Sequence, residues 1–244
     1  GPLFQVFTGN RNLKPVESWN FDLSAEWYFD DVGSFTASAF RKELSNLVTF
    51  GPSFRELTTE SGVTQEVEVN GPANDLEGSL YGFEFAYQQT YDFLPGLLSG
   101  LGLQATYTYV NAEDLSNSTL GPQRSDFASN LALSGVSEDT INITGFYEND
   151  KISARLAYNW RSDYVLTPRD VIFPFSPIIS ESTGQLDGSF FYNLTDEIKL
   201  GVQAVNLLDE VTRTSQVIDF DGTTVGRSAF RNDRRFSFLA RFEF

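Results

Sequence analysis

Arg161, Tyr164, Arg169, Asp170, Phe173 and Phe175 stand close together in the chain, with Pro174 between the two phenylalanines. Arg124 and Asp126 form a smaller group of the same kind, and Arg213, Asp219, Asp221 and Arg227 a third. Aromatic faces stack on sugar rings, while Arg and Asp hydrogen-bond hydroxyls or hold an acidic chelate by charge. The chemistry these types support is binding; the competing use of the same groups is packing and solvation of loops. Catalysis finds no support. The chain has no His and no Cys, which removes the commonest general base, the commonest transition-metal ligand and any thiol nucleophile. No carboxylates are paired at a spacing that would separate an acid from a base. Gly100-Leu101-Gly102 is followed by no Lys-Ser/Thr pair and no helix, so it reads as a turn and not as a phosphate loop. The expectation is a protein that is not an enzyme and that carries no metal and no cofactor. A formal net charge of -16 argues against a nucleic-acid partner, because a phosphate backbone calls for a basic stripe.

The elements that would position these groups are strands. The closing stretch RRFSFLARFEF sets Phe236, Phe238, Phe242 and Phe244 on one parity and Ser237, Arg241 and Glu243 on the other. Alternation with period two is the signature of a strand with one apolar face. The same pattern runs through Trp19, Phe21, Leu23, Ala25, Trp27 and Phe29; through Tyr81, Phe83, Phe85 and Tyr87; and through Leu101, Leu103, Ala105, Tyr107 and Tyr109. It returns from Ile141 to Tyr147, Ile152 to Trp160, Leu186 to Tyr192 and Ile198 to Ala204, and less tidily from Ser34 to Phe50. About nine strands are predicted. Their links alternate in size. Asp30 to Gly33, Asp92 to Gly100, Glu148 to Asp150 and Thr195 to Glu197 are short and rich in turn formers. Gly51 to Glu77, Glu113 to Ser137, Ser162 to Thr183 and Asp209 to Asn232 are long. In an antiparallel meander all short turns then share one end and all long connections the other.

That asymmetry is uncommon in compact soluble domains and normal in outer-membrane barrels. Trp19 and Phe29 lie about 33 Å apart along a strand, which a tilt of about 40 to 45° projects to roughly 24 Å, close to the apolar band of such a barrel. Trp19, Trp27, Phe29, Tyr107, Tyr109, Trp160, Phe242 and Phe244 are therefore expected as girdle aromatics against membrane lipid. The predicted fold class is all-β, an antiparallel transmembrane β-barrel portion; a soluble β-sandwich binding module is the alternative.

Several stretches also carry a family resemblance: Asn12 to Phe29, Tyr81 to Glu113, Phe146 to Tyr164, Gly184 to Glu210 and the closing Arg234 to Phe244. Together they resemble the C-terminal part of a TonB-dependent outer-membrane transporter. The resemblance implies the last nine strands of a 22-stranded barrel over residues 1–244. The plug and the earlier strands would precede Gly1, so that the chain opens in an extracellular loop around Gly9 to Pro15. It also implies a location in the Gram-negative outer membrane and active uptake of a scarce or bulky small-molecule substrate, such as an oligosaccharide or ferric siderophore. The implied partners are the TonB complex, reached through the missing N-terminal part, and the outer-membrane assembly machinery, which reads terminal Phe244. A passive porin is the alternative transport reading.

Overall fold

A computed structural model describes residues 4–112, 133–167, 170, 176–218 and 222–243, with the side chains of residues 4, 5, 49–53 and 75 left aside. Arg124, Asp126, Arg169, Phe173, Phe175, Asp219, Asp221 and Phe244 lie outside the described residues.

The chain forms β1 (Phe4–Phe7), β2 (Glu17–Tyr28), β3 (Ser34–Thr58), β4 (Thr64–Thr90), β5 (Leu101–Asn111), β6 (Asp139–Glu148) and β7 (Ile152–Arg161). It continues with β8 (Tyr164–Thr167), β9 (Ile178–Ser180), β10 (Thr183–Asn193), β11 (Ile198–Val205), β12 (Val211–Val217), β13 (Thr224–Arg231) and β14 (Arg235–Phe242). The main sheet runs β2-β3-β4-β5-β6-β7-β10-β11-β14, with β1 added in parallel to the far part of β4. These nine successive antiparallel neighbours are the strands that the alternation predicts. Among the described residues the sheet is open, with β2 and β14 at its edges.

Register explains why the alternation is so strict. One row of directly opposed residues crosses seven strands as Trp27, Phe35, Tyr87, Ala105, Ile143, Tyr158 and Leu186. The adjacent row, on the other face, reads Glu26, Thr36, Ala86, Thr106, Asn142, Asn159 and Gln185. A second apolar row, Leu103, Gly145, Leu156, Gly188, Ala204 and Phe236, carries the greasy face to the far edge. Its side chains do not find a protein core: Trp19 and Leu23 are each 75% exposed and Phe238 is 84% exposed. A contiguous apolar face of this size needs an apolar surrounding, since soluble monomers rarely show one beyond a few hundred Å².

Three phenylalanines interrupt the polar face, and each lies opposite a glycine: Phe40 with Gly82, Phe146 with Gly102, and Phe191 with Gly201. The rings lie flat over the bare backbone. A Cβ at Gly82 would meet the Tyr109 carbonyl oxygen at 2.1 Å and the Phe40 ring at 2.5 Å. Gly82→Ala should therefore cost on the order of 1–3 kcal/mol, as overpacking does. Gly145→Ala, where a Cβ meets nothing within 4 Å, should be nearly silent. Urea unfolding of the refolded full-length protein measures both.

The short turns close as their residues suggest. Gly33 and Asp30 exchange backbone bonds, with Gly33 N donating to Asp30 O at 3.2 Å. The Asn149 side chain accepts from the amides of Lys151 and Ile152, and the Thr195 hydroxyl accepts from those of Glu197 and Ile198. These are Asx- and ST-type turns that set the strand register.

The long links differ from the expectation of loops. β3 and β4 continue through Gly51 to Glu77 and close only at a turn where Thr59 N donates to Val63 O. The cause is the run Thr64 to Val69, in which Val67 and Val69 alternate with Glu66 and Glu68 and are nearly fully buried. A bulge at Leu44 to Val48, with Asn46 at φ 56°, bends the strand at the base of this arm. The Asn74 side chain secures the bend, donating to the carbonyls of Asn46 (2.6 Å) and Lys14 (3.1 Å) and accepting from the Lys14 amide (2.6 Å). The links Ser162 to Thr183 and Asp209 to Asn232 also hold strands. These pair with one another in a second sheet, β13-β12-β9-β8.

Candidate functional site

The groups that could bind a ligand lie at the end of the sheet away from the short turns. Arg161 is the last residue of β7 and stands on the polar face, opposite Thr140 and Thr183. Its guanidinium carbon lies 4.8 Å from the centroid of the Tyr164 ring, a separation at which a cation is attracted to the π face. Among the described residues the Arg161 Nε is buried without a hydrogen-bond partner. Such a donor carries a desolvation cost that a hydrogen-bond partner would relieve. The Arg161 and Tyr164 pair is thus held together by the β7-to-β8 step.

Asp170 sits differently from a solvated loop carboxylate. Its side chain is 7% exposed and ion-paired to Arg227 at 2.7 Å, with the Gln216 amide donating at 3.5 Å. Arg213 is exposed on β12, and its carbonyl accepts from the Glu181 amide at 3.0 Å. The structure brings Asp170 and Arg227 together from two different connections and leaves Arg213 facing solvent.

Beneath them lies a polar knot that the residue pattern did not single out. Asn206 is 3% exposed and has φ 58°, a left-handed conformation that Asn tolerates better than most side chains. Its amide donates to Asp187 Oδ1 (2.9 Å), its side-chain oxygen accepts from Glu210 N (2.7 Å), and its side-chain nitrogen donates to the carbonyls of Glu210 (3.2 Å) and Asp233 (3.4 Å). Glu210 in turn accepts from the Thr183 hydroxyl. Beside the knot, Arg231 pairs with Asp209 and Asp233, and its guanidinium holds the Asp209 carboxyl below the usual carboxylate range. The signal available in the sequence was Asn206 directly after the last apolar residues of β11, where a strand must end and the chain reverse.

On the apolar face the expected girdle residues cluster by ring contacts. Trp27 and Phe29 are 5.2 Å apart between centroids, Phe29 stacks on Tyr87 at 6.2 Å, Phe85 on Tyr107 at 6.4 Å and Phe83 on Tyr109 at 6.4 Å. Trp160 stands opposite Ile141 and Gly184, and Phe242 opposite Ile198 beside the last short turn. Tyr107 donates to Asp139 at the long-connection end. Among the described residues no helix is long and apolar enough to cross a membrane, and no group of three or more His, Cys, Asp or Glu could hold a metal ion.

The family model for the TonB dependent receptor-like β-barrel matches residues 1–207. The chain belongs to that family. This TonB-dependent receptor barrel segment is thereby placed in the Gram-negative outer membrane, and its family is one of receptors and transporters, not enzymes. No curated protein matches it. Among solved structures it is similar to the ferric enterobactin receptor PfeA of Pseudomonas aeruginosa, with a TM-score of 0.67, 17% identity, 96% of this chain covered and 32% of that one. It is similar also to the siderophore receptor PirA of Acinetobacter baumannii (TM-score 0.60, 16% identity, 96% and 33% covered). A third similar structure is the copper transporter OprC (TM-score 0.59, 18% identity, 96% and 31% covered). At these identities the likeness speaks for the fold alone. The segment spans about a third of the length of the solved structures it matches.

Proposed function

We propose that the segment belongs to an active, TonB-energised outer-membrane transporter, and that its long-connection end is part of the mouth that meets an external nutrient. The supporting observation is the division of one sheet into an apolar and a polar face, with Arg161, Tyr164 and the second sheet all at the end opposite the short turns. The apolar face, girdled by its aromatics, meets membrane lipid; terminal Phe244 serves the assembly machinery. The cargo is a small molecule rich in oxygen. With no His, Cys or Met in the chain, this part of the wall offers neither imidazole nor a sulfur donor to a bare transition-metal ion. Metal cargo would therefore arrive inside an oxygen-donor chelate, and an oligosaccharide suits the same Arg and aromatic set.

Phe173 and Phe175, with Arg169, Asp219, Asp221, Arg124 and Asp126, complete the mouth in this reading, above Arg161 and Tyr164 at its base. Replacing Phe173 and Phe175 by Ala should weaken binding of a ferric catecholate or a neutral oligosaccharide to the purified full-length protein, with the amount of inserted barrel unchanged. Equal affinity for whichever of the two binds would return these rings to loop packing. A passive porin is the competing mechanism, and it predicts uptake that persists when the proton-motive force is collapsed. Energised uptake stops under that treatment.

A further inference from the structure

The links 162–183 and 209–232 leave the main sheet at different places, the first between β7 and β10 and the second between β11 and β14, yet they share one sheet. We propose that β8, β9, β12 and β13 move as a single body, so that neither connection opens without the other, and that the Asp170–Arg227 pair is the clasp between them.

The argument is one of what separation would expose. β9 lies between β8 and β12, with Ser180 opposite Thr214, Ile179 opposite Ser215 and Ile178 opposite Gln216. Glu181 N to Arg213 O at 3.0 Å and Val217 N to Pro177 O at 3.1 Å extend the ladder at both ends. Pulling the connections apart would leave this backbone unpaired and uncover Ile178 and Ser180, each 3% exposed, together with Thr214, Ser215 and Val217, each 7%. It would also strand the Asp170 carboxylate. A buried charge that loses its cationic partner is strongly unfavourable, whereas the intact pair is tolerated. The Thr214 and Ser228 hydroxyls share a 2.6 Å hydrogen bond that fastens β12 to β13. At the root, the Asn206 knot ties this body to β10 and β11, and Arg231 pairs with Asp209 and Asp233 beside it. The proposal concerns motion and holds whatever the cargo.

Hydrogen exchange on the ligand-free full-length protein tests it. Asp170→Asn should quicken exchange about tenfold in β8, β9, β12 and β13 together, as for one cooperative unit, and leave β10 and β11 unchanged. The segment has no Cys of its own, so with any thiol elsewhere in the full-length protein first replaced, a S180C/T214C pair adds one cross-link between directly opposed positions. Oxidation should slow exchange in both connections, and a reductant should restore it. Quickening confined to one connection overturns the proposal, as does a cross-link that protects only one of them or a pair that fails to oxidise.

Discussion

Arginine in place of Phe83 should cost the assembled full-length protein about 2 to 4 kcal/mol, whereas arginine in place of the adjacent Glu84 should change little. The two positions differ by one residue and by one face. Phe83 stands directly opposite Ala39 on one side and Tyr109 on the other, and through Ala39 the row continues to Leu23, near the middle of the apolar stretch from Trp19 to Trp27. A guanidinium there must be carried into hydrocarbon. Glu84 stands opposite Ser38 and Thr108 on the polar face, where a charge is already accommodated. The contrast should be weaker between Leu103 and Gln104, because Leu103 stands opposite Gln89 beside the end of β4, close to the short-turn rim. Unfolding in urea from vesicles measures the difference. Equal costs on both parities would mean that the membrane and water faces have been exchanged.

The second large effect is expected at Asn206. Asn206→Ala removes three side-chain hydrogen bonds and leaves the Glu210 amide short of its 2.7 Å acceptor. It also places Ala at φ 58°. Unmade buried bonds and a left-handed alanine together should cost about 2–4 kcal/mol. Asn206→Gly separates the causes, since glycine takes the backbone conformation freely but makes none of the side-chain bonds. The glycine variant should recover only a minor part of the loss. Limited proteolysis should find the damage in residues 206–234, because the knot supports that connection and not the membrane strands. A variant as resistant as the parent would reduce the knot to decoration.

The membrane sheet was legible in the sequence because a strand with one face in hydrocarbon and one in water must alternate over its whole length. Trp27 and Glu26 announce their faces by type alone. The outer half was less legible. Thr64 to Val69 alternates as clearly as any membrane strand, but it stands beside Gly71, Pro72 and a run of acids, and such composition usually marks a loop. β12 and β13 are short and mixed, and strands of that kind are recognised only once a partner is known. β9 finds that partner in another connection altogether. Long-range pairing between two links leaves no local trace. Asp170 shows the same limit within the candidate site: its type suggested a solvated ligand group, and only the fold shows Arg227 beside it. Arg161 and Tyr164 come together with less help, because only two residues separate the end of β7 from the start of β8.

The turns that close the short end also govern error. A slip of one residue between two strands would exchange the water-facing and lipid-facing sets of every strand added afterwards, because each new strand copies its frame from the last. The mistake would not stay local; it would be inherited. Asn149 and Thr195 capture the amides of the residues that open the next strand, Ile152 and Ile198. Such side chains act as frame markers during assembly, and their removal should be felt less in the finished protein than in the fraction of chains that reach it.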